Sequence, residues 1–204
     1  LPVPRQAAAD LERGWRQALK RIHTSRQERM KARHRQTLDL LARQAQVCSE
    51  LEQALGREEN PANALAHAEA RWLALSPHSS DSFQQGMEAR FQRARTALLG
   101  GNTELDASRA ANAQKRAEIC LRLEILAQID SPPECAAERL AFQVNRLQEH
   151  LVSGEENPLA TSAHLIEQWY LVGPAPAMDA VGLDRRFERA QAALNQMEAN
   201  AQGA

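Results

Sequence analysis

Histidines, cysteines and paired acids are the groups with which this chain could do metal, nucleophilic or acid–base chemistry. His67 and His164 lie 97 residues apart within matching segments. A metal or proton-transfer role would suit them. Neither belongs to a His-Glu-x-x-His or Glu-x-x-His arrangement, and neither has a cysteine at ligand spacing on its own turn. His67-Ala68-Glu69 matches the first residues of a zinc deaminase signature, but the Pro-Cys-x-x-Cys half is missing. The three cysteines, Cys48, Cys120 and Cys135, are odd in number and include no Cys-x-x-Cys. They read as reduced thiols that pack on helices as small apolar groups. Glu58-Glu59 and Glu155-Glu156 each precede Asn-Pro. Negative charge before a helix start favours the helix dipole, which accounts for them without catalysis. No Gly-x-Ser-x-Gly or phosphate-cradling glycine loop is present. The sequence therefore predicts no catalytic residue, no cofactor and no metal.

Charge is the one feature with functional content. Residues 1–46 hold eleven Lys/Arg against four Asp/Glu, a balance of +7, within a chain of net charge −1. The remainder carries −8. Arg13, Arg16, Lys20, Arg21, Arg26, Arg29, Lys31, Arg33 and Arg35 fall within 23 residues and are opposed only by Glu28. Such a stretch can neutralise phosphates or meet an acidic protein surface. Trp15 is the only ring within it, so a stacking platform for single strands is poorly supported.

The elements that position these groups follow from an internal repeat. Glu58-Glu59-Asn60-Pro61, His67, Trp72 and Pro77 recur 97 residues later as Glu155-Glu156-Asn157-Pro158, His164, Trp169 and Pro174. Arg90-Phe91-x-Arg93-Ala94 and Leu98 recur at an offset of 96 as Arg186-Phe187-x-Arg189-Ala190 and Leu194. The opening segment matches the same closing motif at an offset of 172: Pro2 with Pro174, Leu11 with Leu183, Trp15 with Phe187, Ala18 with Ala190. This divides the chain into residues 1–22, the closing helix of a preceding repeat, then complete repeats at 23–101 and 102–204. The second is longer, with an insertion near 130–135. Trp15, Trp72, Phe91, Trp169 and Phe187 are read as structural anchors, because large rings at equivalent positions are what a shared core needs.

Each repeat reads as helices. Asn60-Pro61 and Asn157-Pro158 are capped starts for helices over 61–74 and 158–171, which end at Ser76-Pro77 and Gly173-Pro174. Stripes at steps of three and four follow: Phe83, Met87, Phe91, Ala94 and Leu98, stopped by Gly100-Gly101, and Leu183, Phe187, Ala190, Leu194 and Met197. Arg109–Ile129 carries Ile119, Leu123 and Leu126. Ser131-Pro132-Pro133-Glu134 then breaks and restarts the chain, and Leu140, Val144, Leu147 and Leu151 continue to Gly154. From Ala7 to Leu55 there is no proline. Leu11, Trp15, Leu19 and Ile22 form one stripe, and Leu38, Leu41, Ala45, Cys48, Leu51 and Leu55 another. The polar stretch between them leaves two readings, one helix throughout or a break near His23-Thr24-Ser25. No segment alternates with period two, only eight residues are aromatic, and no apolar run reaches membrane-spanning length.

A Trp closing a short helix, a Gly/Ser-Pro turn, and Arg-Phe-x-x-Ala in the next helix resemble the bacterial repeat family catalogued as domain of unknown function 349. Trp169, Gly173-Pro174 and Arg186-Phe187-x-x-Ala190 carry the pattern, as do Trp72, Pro77 and Arg90-Phe91-x-x-Ala94, with Ser76 in place of the glycine. The resemblance implies tandem helical repeats in a longer bacterial protein and brings no catalytic residue with it. The expected architecture is all-α, an elongated array of antiparallel helical hairpins without a sheet. The expected function is a non-enzymatic, cytoplasmic scaffold or protein-interaction module, a fragment opening on Leu1-Pro2. Its partners would be a protein or other repeats of the parent chain, with no membrane and no small-molecule substrate. The alternative is a nucleic-acid-binding module, RNA in the first place. In either case Arg16, Lys20, Arg26, Arg29, Lys31, Arg33 and Arg35 make the contact.

Overall fold

The computed structural model describes residues 5–54, 61–75, 81–100, 103–153 and 158–203. These form seven α-helices: α1 Arg5–Ala54, α2 Pro61–Ala74, α3 Asp81–Gly100, α4 Thr103–Leu126, α5 Ala136–Ser153, α6 Pro158–Leu171 and α7 Ala177–Gly203. One turn of 3-10 helix, Pro133–Cys135, precedes α5. Among the described residues there is no strand, and no helix is long and apolar enough to cross a membrane. The Asn60 and Asn157 caps, the acidic pairs before them, the Ser76-Pro77 turn, Pro2-Val3-Pro4, Leu55, Gly101 and Gly154 lie outside the described residues.

Of the two readings left open for residues 7–55, the continuous helix holds: α1 runs unbroken for 50 residues. Thr24 does not interrupt it, because its hydroxyl donates to the Lys20 carbonyl at 2.9 Å, one turn back within the helix. The polar residues around it are mostly Arg, Gln, Lys and Glu, which lose little rotamer freedom in a helix.

The chain divides into two compact units, residues 1–40 and 41–204. The first contains α1 up to Leu40. The second has the core, built from the stripes of α1 (Leu41, Val47, Cys48, Leu51), α3 (Met87, Phe91, Ala94), α4 (Ile119, Cys120, Leu123), α6 (Leu165, Trp169) and α7 (Leu183, Phe187, Ala190, Leu194), all buried. In this unit α4 packs on α6, α7 and α3, and α2 packs on α3.

The repeated rings meet in equivalent pairs. Trp72 stacks on Phe91 with centroids 4.4 Å apart and planes at 12°. Trp169 stacks on Phe187 at 4.3 Å and 3°. Such a pair adds roughly 0.5–1.5 kcal/mol beyond the burial of its area. Trp72 is half-buried, whereas Phe91, Trp169 and Phe187 are buried. At the turn between α6 and α7 the glycine is closely approached by a side chain of α4. A Cβ on Gly173 would stand 2.9 Å from the Asn112 amide, which donates to the Pro174 carbonyl at 3.1 Å.

After Leu126 the chain leaves α4 through Gln128, whose φ of 56° is left-handed. Gln128 N–H donates to Ile125 O and Ile129 N–H to Glu124 O, which satisfies two carbonyls of the last turn of α4. The 3-10 turn and α5 follow. No helix stands in the corresponding place between α1 and α2 among the described residues.

Candidate interaction surface on the basic helix

The sequence-predicted contact residues all lie on α1 in the first unit. Arg16, Lys20, Arg26, Arg29, Arg33 and Arg35 are exposed, and Lys31 is half-buried. A helix advances 100° per residue, so these positions encircle α1 instead of sharing one face. Arg26, Arg29 and Arg33, at steps of three and four, form the longest aligned row. At the start of the helix Arg16 pairs with Glu12 at 2.5 Å and Arg13 with Asp10 at 3.7 Å. Exposed pairs of this kind contribute at most about 1 kcal/mol, so they leave the arginines available to a partner.

An apolar row shares this helix. Leu11, Trp15, Leu19 and Ile22 are 72%, 66%, 37% and 61% exposed. Trp15 therefore differs from its counterparts Phe91 and Phe187: in its own unit no ring or core covers it, and it anchors no hairpin there. The repeat pattern placed it at an equivalent sequence position. Burial depends on a second helix, which a helix by itself lacks.

The second unit contains two polar features that the sequence reading missed. Arg90 and Glu52 are each only 2% exposed, and they pair through two parallel bonds, Nε to Oε1 at 2.9 Å and Nη2 to Oε2 at 2.8 Å. Arg90 also donates to the Tyr170 carbonyl at 2.6 Å and to Ser49 Oγ at 3.1 Å. Burial favours its neutral form, but the bonds and charge of Glu52 outweigh this and hold the guanidinium above its usual range. Arg186 and the fully buried Glu124 repeat the geometry, with both bonds at 2.9 Å. Hydrogen bonding to Glu124 raises Arg186 in the same direction. Arg90 and Arg186 are the repeated Arg of Arg-Phe-x-x-Ala. Their glutamates could have been found by a further register at an offset of 72, where Val47-Cys48-x-x-Leu51-Glu52 matches Ile119-Cys120-x-x-Leu123-Glu124.

In each clasp the arginine and the glutamate neutralise one another through two charged hydrogen bonds, an arrangement suited to holding helices together. A cleft of about 910 Å³ opens beside the first. Arg90, Arg109 and Arg116 line it against Glu52, Asp184 and Glu188, which leaves no net charge to draw in an ion. Arg116, buried over the Trp169 face at 4.6 Å, is lowered by its burial and then by the nearby Arg90.

The remaining candidates are as poorly placed for chemistry. Burial pushes the Cys48 and Cys120 thiols up to about 12, so both are protonated at neutral pH and are poor nucleophiles and poor ligands. Cys135 is a free, half-buried thiol. His67 is exposed on α2. His164 is exposed on α6, with its Nε2 2.9 Å from Gln168 Nε2. Among the described residues no group of three or more His, Cys, Asp or Glu could hold a metal ion. No protein-family model, curated protein or solved structure matches the chain.

Proposed function

We propose that the chain is a non-enzymatic helical-repeat scaffold, a cytoplasmic protein-interaction module whose basic helix meets an acidic protein surface. One observation carries this reading: on α1 an exposed arginine-rich surface and an exposed apolar row occupy the same stretch. A protein partner would cover both, pairing the arginines at its rim and removing Leu11, Trp15, Leu19 and Ile22 from water. A phosphate backbone would neutralise the arginines and leave four large apolar side chains wet. The −8 balance of residues 47–204 would also repel a polyanion lying near them. The clasps, stacked rings and neutral thiols fit a rigid support. Under this reading residues 1–22, 23–101 and 102–204 are a closing helix and two complete repeats, and the resemblance to the bacterial domain of unknown function 349 supports a place in a longer bacterial protein.

The second reading is binding of nucleic acid, RNA first, through the same arginines, and the density of positive charge between Arg13 and Arg35 favours it. A salt titration separates the two. Phosphate contacts release counterions, so affinity for single strands would fall with a log–log slope of roughly −0.7 per phosphate neutralised. Replacing Arg26, Arg29, Arg33 and Arg35 by Gln would flatten that slope by about three. The expected result for a protein-interaction module is background retention on RNA at physiological salt, with or without the four substitutions.

A further inference from the structure

One of the contacts that join the two repeats lays α6 of the second on α3 of the first. Three residues of α3 at steps of three and four, Phe83, Gly86 and Arg90, form the seat. The Phe83 ring meets the His164 ring edge-on, with centroids 6.4 Å apart. A Cβ on Gly86 would stand 2.8 Å from the Leu171 side chain, so α6 approaches α3 closely there. Arg90, besides its two bonds to Glu52, donates through Nη1 to the Tyr170 carbonyl at 2.6 Å, near the end of α6. The offset of 96 carries this row onto α7 as Asp179, Gly182 and Arg186. Nothing lies within 4 Å of a Cβ built on Gly182. Arg186 makes the same two bonds to Glu124, and among the described residues its Nη1 makes no third. Its side chain is 17% exposed, against 2% for Arg90. A glycine inside a helix costs stability relative to alanine. The approach of Leu171 accounts for Gly86, and nothing among the described residues accounts for Gly182.

We propose that Asp179, Gly182 and Arg186 seat α2 of a second copy of the chain, so that copies associate head to tail. The helix that lies on α3 shows what fits. Its counterpart at the offset of 97 is α2, with His67 for His164, Leu73 for Tyr170 and Ala74 for Leu171. The side of α2 that this register brings to the seat faces water: His67 and Ala74 are exposed, and Leu73 is 84% exposed. Tyr170 and Leu171, the counterparts on α6, are half-buried. In the proposed contact the Leu73 carbonyl accepts from Arg186 Nη1, as the Tyr170 carbonyl accepts from Arg90. Ala74, smaller than leucine, stands over Gly182. Met178, 90% exposed one turn before Gly182, adds apolar area beside the seat. The remaining substitution selects the occupant. Phe83 opposite His164 becomes Asp179 opposite His67, where the imidazole N–H donates to the carboxylate. The same histidine on α6 is already engaged, because α3 holds α6 within each copy. Seat and occupant are different surfaces of the chain, so the contact is heterologous and adds copy to copy unless it closes into a ring. Two short helices bury less than a standard interface, and each contact is weak, with a dissociation constant of roughly 10–100 µM. It does not involve the basic helix and is independent of the function proposed for that helix.

Sedimentation velocity of the full chain over about 1–500 µM tests this. The sedimentation coefficient of the wild type should rise with concentration across the range. Gly182→Trp places a large side chain on the seat at a position where a Cβ meets nothing of its own fold. This variant should stay monomeric, a rise of at least about 10-fold in dissociation constant, with unchanged far-ultraviolet circular dichroism. Asp179→Lys should weaken association about 10-fold, and adding His67→Glu should restore it by reversing the pair. Replacing Arg26, Arg29, Arg33 and Arg35 by Gln should leave association unchanged, which separates this contact from any made by the basic helix. A wild type monomeric throughout the range, association that survives Gly182→Trp, a failure of His67→Glu to restore it, or its loss in the four-Gln variant would overturn the proposal.

Discussion

Removing Arg90 should damage the fold more than removing any other single cation. In Arg90→Met the hydrophobic stem is kept and the guanidinium is lost. Glu52 then sits 2% exposed with neither of its two charged hydrogen bonds, and the Tyr170 carbonyl and Ser49 hydroxyl each lose a donor. Breaking a buried pair from one side costs about 3–5 kcal/mol, because the remaining charge is stranded in a poor solvent for ions. Against a total stability of roughly 5–15 kcal/mol for a domain, this is a large fraction. The double variant Arg90→Met with Glu52→Leu removes both charges, and most of the loss should return, leaving a deficit of about 1–2 kcal/mol for imperfect packing. Urea unfolding followed by circular dichroism reads both values, provided the slope with denaturant is unchanged. The reasoning fails if Arg90→Met alone costs under about 1 kcal/mol, for then Glu52 reaches water and the clasp is not closed. It also fails if the double variant is less stable than the single one.

Three further outcomes follow from the same structure. Trp169→Ala, which empties a buried stacked site, should cost about 3–5 kcal/mol, and Trp72→Ala less, because Trp72 is half-buried; paired urea titrations compare them. Cys48 and Cys120, neutral up to about 12 in the fold against an ordinary value of 9.0, should resist iodoacetamide at pH 8 and react on unfolding. Because the folded values are raised, stability should be intact below about pH 9 and fall between about 9 and 12, by up to about 1.4 kcal/mol per pH unit for each thiol. A Cys48→Ala/Cys120→Ala variant should lose less over that window, and an equal loss would show that other groups govern the alkaline transition.

The helices and the apolar core of the second unit were legible in the sequence because steps of three and four need only one helix to be visible. Met87, Phe91 and Ala94, and Leu183, Phe187, Ala190 and Leu194, are buried as their spacing suggests. The same spacing misleads at Leu11, Trp15, Leu19 and Ile22, and at Leu140 and Val144. A stripe announces an apolar face but does not say whether anything covers it. The polar clasps were illegible for a different reason. A lone Glu52 or Glu124 in a helix looks like a solvated charge, and only its pairing with an arginine 38 or 62 residues away makes it a core residue. The continuity of α1 across His23–Gln36 is not legible in the sequence because no apolar face passes through that stretch, and helix propensity alone is a weak guide.

The most direct test of the interaction reading is capture from cells by the full chain, comparing wild type, the variant with Arg26, Arg29, Arg33 and Arg35 changed to Gln, and Trp15→Glu, each before and after nuclease. The account predicts one protein with an acidic surface held by the wild type after nuclease treatment and lost from both variants. Capture that collapses with nuclease, and that Trp15→Glu leaves intact, would contradict it and make the basic helix a nucleic-acid contact.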